Sequence, residues 1–529
     1  MSDQAAISDL SVANAVPEPA AAVTPDIPRP PIEVAPQAYI SAADAPSWEE
    51  LAARFRPIFA RIAEGAIERE QKRELAYEAV AWLRKAGFGA VRMPKAYGGL
   101  GATLPQFFRL LLELADADSN VSHLFRGHFA WLEARLNLPE PEVHARWFPK
   151  VAEGLIFGYA MAESASQVGN AKLIRENGQI FLDGIKYYST GTIYADWIVV
   201  GVPDGEQHAS VLVPSNAPGV TRLDDWDGFG QRLTGSGTTK FDRVQVNEDQ
   251  VVIFRRKNRN SEASVANPLA ATESNAESSP PASTQGPVAA VRGGWGYITS
   301  FLQLVLLTSM AGSTRAALRE GVAFVLPRKR TFNMPAGNGR PLPKDDPLVQ
   351  RVVGKVSSLA YSVETHVLAL AQHLEDLYQL AQRGKATEAD YAATEVKAFQ
   401  TQQIVIPTAL EATTLVFEVG GASATSVSRQ LDRHWRNVRT AASHNPAIQR
   451  ERAIGDYFLN GVAPGLEGFV ARDAPSVPAA QVANDEPAAD NAARVGAATP
   501  IADSHGAPRA GEPITGSAFP ATVSREQIN

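Results

Sequence analysis

Chemistry near neutral pH needs a side chain that exchanges protons there. This chain of 529 residues has nine histidines and no cysteine. The lack of thiols excludes a cysteine nucleophile, thiolate zinc sites, iron–sulfur ligation and disulfides. The histidines offer no metal set. None has Glu three residues before it, which excludes the di-iron pattern of helical bundles, and His366 and His373, seven apart on one helix face, lack carboxylate partners. No phosphate-binding Gly-x-x-x-x-Gly-Lys-Ser/Thr, no Gly-x-Gly-x-x-Gly after a strand and no Gly-x-Ser-x-Gly elbow occurs. Two segments keep chemical interest. Lys186-Tyr-Tyr-Ser-Thr-Gly191 offers flat apolar area and hydroxyls, suited to a planar ring system or simply to an aromatic strand. Ser443-His444-Asn-Pro446 offers an imidazole whose ordinary pKa suits acid–base work, or a helix start.

The elements that must position these segments follow from periodicity. Residues 48–150 read as helices: Leu51, Phe55, Ile58, Phe59 and Ile62 recur at helical spacing, as do Val80, Leu83 and Phe88, and a further helix spans 104–116. Short β-rich runs follow at Leu155–Met161, Gln179–Asp183, Asp196–Val202, Ser210–Val213 and Lys240–Val246, separated by turn residues. Their spacing suggests a small antiparallel barrel or sandwich. Long helices return at about 298–326, 346–383 and 388–418, enough for a bundle, with shorter ones at about 428–441 and 446–460. Residues 1–47, 255–294 and 472–529 are Ala/Pro/Ser-rich with at most one aromatic each, so they read as a disordered tail, a disordered insertion and a second tail. The domains expected are therefore helical at 48–150, β at 151–254 and a helical bundle at 295–471. Lys plus Arg total 50 and Asp plus Glu 57, leaving a net charge of −7 without the basic footprint of a nucleic-acid binder. The apolar stretches visible in the sequence, such as Ile298–Val305, are too short for a membrane span, and no signal peptide is visible, which points to the cytoplasm.

Five motifs run in order along this helical–β–helical chain: Met93-Pro-Lys-Ala-Tyr-Gly-Gly-Leu-Gly101, Leu114-Ala-Asp-Ala-Asp-Ser119, Gly158-Tyr-Ala-Met-Ala-Glu163, Lys186–Gly191 with Asp196-Trp197, and Leu431-Asp-Arg-His-Trp-Arg-Asn437 followed by Ser443–Pro446. With them the chain resembles the acyl-CoA dehydrogenase-like flavoproteins over roughly residues 48–470. The resemblance implies an α+β, mainly α fold, with an N-terminal helical domain, a central small β-barrel and a C-terminal helical bundle. It also implies a flavin between the β domain and the C-terminal helices. Two departures from the dehydrogenases stand out. Where many of them carry a glutamate base, this chain has Ala441-Ala-Ser-His-Asn-Pro446, and no carboxylate lies between Asp432 and Glu451. The Arg-x-x-Phe-Gly segment that holds the adenine half of FAD reads Lys329-Arg-Thr-Phe332-Asn333, which favours FMN.

These features resemble one branch of that family, the FMN-dependent dibenzothiophene monooxygenases and sulfur-acquisition oxidoreductases. The resemblance implies reduced FMN from a separate reductase, dioxygen, and a small organosulfur substrate, dibenzothiophene-like or sulfone-like. It makes His444, Thr190 and His128 the expected catalytic residues: His444 as proton donor or base, Thr190 as a hydroxyl supporting the oxygen-charged flavin, and His128 as a pocket histidine. It assigns cofactor contacts to Tyr159, Ala160, Met161, Ala162, Glu163 and Ser164, to Lys186, Tyr187, Tyr188, Ser189 and Thr190, and to Arg330, Ala422, Ser423 and His444. Arg330 would meet the FMN phosphate, and the Ser166–Lys172 stretch would be a lid. No metal is expected, and the assembly would be a homotetramer. Ala441 departs from this branch, where a second histidine can occur. An FAD-dependent acyl-CoA dehydrogenase with a relocated base, or a non-catalytic flavoprotein relative, are the alternatives. From the residues alone, His128 could be a core histidine and Arg330 part of a solvated surface run.

Overall fold

A computed structural model describes residues 39–138, 140–163, 169–204, 207–254, 296–331, 334–335 and 342–464. The 255–294 insertion, most of both tails, Ser164 and the first residues of the expected lid lie outside the described residues.

The N-terminal helices are α1 (Trp48–Glu64), α2 (Ala66–Lys72), α3 (Tyr77–Lys85), α4 (Leu104–Ala117), α5 (Ser119–Leu124), α6 (Arg126–Leu136) and α7 (Pro141–Ala152). Local chemistry sets their starts. Ser47 and Glu50 form a capping box on α1, Thr103 and Gln106 form another on α4, and the Asp118 side chain caps α5. Residues 39–47 depart from the expected tail: Ile40 is buried and Tyr39 stacks on Tyr378 with ring centroids 6.2 Å apart. Two aromatic or aliphatic side chains found a hydrophobic seat despite the Ala/Pro-rich stretch before them.

Eight strands follow: β1 (Phe157–Ala160), β2 (Lys172–Glu176), β3 (Gln179–Lys186), β4 (Trp197–Asp204), β5 (Gln207–Pro214), β6 (Val220–Arg222), β7 (Thr239–Val246) and β8 (Val251–Phe254). They form two four-stranded sheets, ordered β1-β4-β5-β8 and β2-β3-β7-β6, rather than one closed barrel. β1 also runs parallel to β4, with Phe157 opposite Trp197, where an all-antiparallel sheet was expected. The chain reaches β4 only after passing through the second sheet, so the return direction is free to match β1. Leu182, Ile198, Val200, Val202, Val211, Val213, Phe241 and Val244 fill the space between the sheets.

The C-terminal helices are α8 (Ile298–Val325), α9 (Pro347–Gln382), α10 (Glu388–Leu415), α11 (Asp432–Ala442) and α12 (Ala447–Asn460), with a short hairpin of β9 (Arg330–Thr331) and β10 (Met334–Pro335) between α8 and α9. α8 is apolar all round and packs against α4, α9 and α10, the pattern of a central helix. Its length and composition also meet those of a membrane span, but 83% of its most apolar window is buried inside the fold.

One ion pair ties the helical layers together from within. Arg92 and Glu133 are each 1% exposed and joined by two hydrogen bonds of 3.0 and 2.8 Å. Arg92 also donates to the Ala102 carbonyl, and the Tyr297 hydroxyl donates to Glu133 at 2.5 Å. Every buried polar atom here depends on its partner, so Glu133→Ala should destabilise the protein by about 3–5 kcal/mol. The double variant Arg92→Met/Glu133→Leu should recover much of that loss. Urea denaturation of both variants checks this, and a single variant within about 1 kcal/mol of wild type would refute it.

Candidate active site

The end of β1 and the end of β3 run side by side. Tyr187 N–H donates to the Ala162 carbonyl at 3.0 Å, and Lys186 Nζ donates to Glu163 at 2.5 Å and to the Met161 carbonyl at 3.4 Å. Lys186 is buried, and burial lowers its pKa against the opposing pull of Glu163. Past it the chain turns sharply. Tyr188 takes φ +51°, a left-handed conformation costly for an aromatic residue, and its exposed ring meets Trp226 edge-on at 5.8 Å. Ser189 and Gly191 N–H groups donate to the Gly237 and Thr234 carbonyls, so the turn is held by the loop between β6 and β7. Gly191 has φ +79°, and a Cβ there would sit 2.4 Å from the Leu124 carbonyl oxygen. The glycine therefore lets β3 approach α5. Thr190 Oγ1 shares a hydrogen bond of 2.8 Å with Ser236, which shares another of 2.6 Å with Thr234. Ser189 Oγ is buried without a hydrogen-bond partner.

His444 follows α11 and is linked to this region through the His123 ring. Its ring is exposed, yet burial, followed by Arg126, His123 and Arg450, drives its pKa well below the ordinary value. A side chain that is both accessible and deeply surrounded lines a recess rather than the outer surface. The His123 ring stands edge-on to it, with centroids 6.5 Å apart and an interplanar angle of 76°. His123 Nδ1 lies 3.0 Å from Gln231 Oε1, which places its proton on Nδ1. Its Nε2 is a buried acceptor with no hydrogen-bond partner. Arg126, half-buried, donates through Nε to the Leu302 carbonyl at 3.2 Å. Arg450 donates through Nη1 to Gln303 and, at 2.8 Å, to Gln402. Asn445 Nδ2 also donates to Gln303 at 2.8 Å, so α8 anchors the turn that carries His444.

The expected residues thus divide. Tyr159 to Glu163, Lys186 to Thr190 and His444 are carried by strand ends and a turn in this one region, together with His123, Arg126, Gln231, Ser236 and Arg450, which the motifs do not single out. His128 has both ring nitrogens committed to backbone groups: Nε2 is 2.9 Å from the Gly89 carbonyl, and Nδ1 accepts from Phe157 N–H at 3.3 Å. Its ring is fully buried beside Phe157 and has no free atom for a substrate, so it positions β1 on α6. Arg330, Ala422 and Ser423 are exposed and make no described contact with the recess. One signal for His123 is present in the sequence. Asp118-Ser-Asn-Val-Ser-His123 is a polar run between two apolar helices, and every residue of it is buried. A separate open cleft of about 550 Å³ lies between α1, α4 and α8, but its Arg56, Arg315 and Arg319 are paired with Glu113 and Asp116.

The architecture is an acyl-CoA dehydrogenase-like fold. Residues 49–155 match the acyl-CoA dehydrogenase N-terminal domain and residues 304–448 its C-terminal domain. The chain is 28% identical to a dibenzothiophene monooxygenase of Mycolicibacterium goodii over 415 residues, covering 76% of this chain and 92% of the relative. It is 24% identical to a probable FMNH2-dependent monooxygenase of Pseudomonas putida, covering 77% of this chain and 94% of that protein. Among solved structures, methanesulfinate monooxygenase of Pseudomonas fluorescens superposes with a TM-score of 0.64 at 24% identity, covering 78% of this chain and 97% of that one. The FMN-bound form of a Paenibacillus sp. A11-2 protein does so with the same score and identity, covering 77% and 98%.

The depressed histidines carry a pH signature. Burial, then Arg126, holds His123 down to about 4, against an ordinary 6.5. The unfolded chain therefore takes up this proton first as pH falls. The stability due to the neutral ring is whole above about pH 6.5 and drains away towards pH 4. In His123→Gln, the unfolding free energy from urea denaturation between pH 6.5 and 4.5 should fall less steeply, by up to about 1.4 kcal/mol per pH unit. An unchanged slope would show that His123 is not held neutral.

Proposed function

We propose that the protein is a two-component flavin-dependent monooxygenase that uses reduced FMN and dioxygen to oxygenate a small organosulfur compound. The observation that carries this reading is the accessible, neutral His444 set edge-on to a second neutral imidazole, His123, where a dehydrogenase needs a carboxylate. The nearby carboxylates are engaged: Glu163 with Lys186, and Glu320 with Arg433 and His434. The relatives named as FMNH2-dependent and dibenzothiophene monooxygenases support the same chemistry.

The residues suit a flavin. Tyr187 and the β1 end offer a flat wall, the Thr190–Ser236 pair and the unpartnered Ser189 Oγ offer hydroxyls, and His123 Nε2 offers an acceptor. Bound reduced FMN would supply two electrons, so that one atom of dioxygen enters the substrate and the other leaves as water. The protein's own part is proton handling. A neutral His444 can accept a proton on one nitrogen while donating from the other, and Asn445 with Gln303 fixes the turn that carries it. The Thr190–Ser236–Thr234 hydroxyls can relay hydrogen bonds without a net charge.

We further read the protein as a cytoplasmic homotetramer served by a separate reductase. Leu348, Tyr361, Ile404, Ile448 and Leu459 stand exposed on the bundle helices, apolar side chains that association would cover. A monomer mass by light scattering at micromolar concentration would defeat the oligomer.

His444→Ala should leave folding and FMN content nearly intact while lowering oxygenation by roughly a hundredfold to ten-thousandfold. Hydrogen peroxide released per reduced FMN consumed should rise. Oxygenation at the wild-type rate with no extra peroxide would remove His444 from the reaction.

A further inference from the structure

The recess carries more positive charge than a neutral aromatic sulfur compound can use. Arg126 begins α6 with one hydrogen bond, to a carbonyl, and no ion pair with any described residue. Arg450 rises from α12 onto Gln303 and Gln402, with its Nε buried and unpartnered and its guanidinium over the Phe399 ring at 4.7 Å. The two are held by adjacent residues of α8, Leu302 and Gln303, and both act on His444. Among the groups that act on the pair, Glu395 raises the pKa of Arg450 and Tyr159 that of Arg126, while His123 and His444 are neutral. One carboxylate against two guanidiniums leaves the cluster net positive. Burial, and next the charge of Arg450, bring the Arg126 pKa down to about 10.

Burying a cation without a counter-charge costs several kcal/mol, and proteins keep such a group where a ligand completes it. A planar guanidinium with free Nη donors matches a two-oxygen anion. Tyr159 restricts what can sit beyond it. A Cβ at Gly127 would lie 2.9 Å from the Tyr159 Cβ, so the tyrosine occupies the space beside Arg126 that a side chain there would take. We infer that the substrate carries an anionic head group, a sulfinate, sulfonate or carboxylate, and that Arg126 binds it beside His444 with Arg450 as second cation. This deepens the monooxygenase reading and rests on it for the reaction, though not for the binding.

The test is equilibrium binding to the FMN-loaded protein, by calorimetry, of an alkanesulfinate, an alkanesulfonate, an alkanoate and neutral dibenzothiophene. Wild type should bind at least one anion more tightly than dibenzothiophene, with affinity falling as salt rises. Arg126→Gln should weaken anion binding about tenfold to hundredfold, as loss of one charge-assisted hydrogen bond gives, and Arg126→Lys should restore part of it. FMN affinity, measured separately by flavin fluorescence, should stay within about threefold. Preference for dibenzothiophene in wild type, or anion binding unmoved by Arg126→Gln, would overturn the inference. A parallel loss of FMN affinity would assign Arg126 to the flavin instead and overturn it too. Charge-dependent anion binding without oxygenation would uphold the anion site and refute the monooxygenase reading alone.

Discussion

Three stretches of chain, more than a hundred residues apart in each direction, meet at Gln231. Its backbone N–H donates to Asn437 Oδ1 at 2.6 Å, its side-chain oxygen takes the proton side of His123, and Asn437 Nδ2 donates on to Ser119 at 3.0 Å. Leu233 N–H completes the bridge to Asn120. All of these groups are buried, so no water can substitute for a missing partner and the bridge stands or falls as a unit. Gly230 beside it has no room for a Cβ, which would lie 2.1 Å from the Arg436 carbonyl. The loop between β6 and β7 is thereby pressed onto α11, and α5 onto both. The position of His123 relative to His444 is a consequence of this bridge, as is the turn that holds Thr190.

The same arrangement sets the charge state of the two imidazoles. Desolvation and two nearby guanidiniums all push against protonation of His123 and His444. A histidine in such surroundings stays neutral at any physiological pH and keeps one donor and one acceptor. A carboxylate in the same place would be pulled towards ion pairs with Arg126 and Arg450 and would lose its basicity. The fold is shared with the acyl-CoA dehydrogenase-like proteins.

Much of this was legible in the sequence. The helical, β and helical order follows from periodicity, and α8 to α12 fall within a few residues of their expected bounds. The strand-end motifs and His444 could be picked out because their residue types are chemically distinctive. The strands β2, β6 and β8 escape because Lys172–Glu176 is mostly polar and the other two are short. His123 and Gln231 escape for a different reason. Their roles come from buried hydrogen bonds between distant segments, and spacing along the chain carries no record of such partners. His128 shows the converse: an apolar neighbourhood and an attractive residue type, but backbone groups on both nitrogens.

Gly127 and Tyr159 lie on different elements, yet the missing side chain of one is filled by the ring of the other. Shrinking the ring at position 159 alone would not admit a side chain at position 127, because the Tyr159 Cβ is itself the nearest atom at 2.9 Å. The space beside Arg126 is thus closed by atoms close to the backbone of β1, so its shape is set by how that strand lies on α6 rather than by the size of one ring.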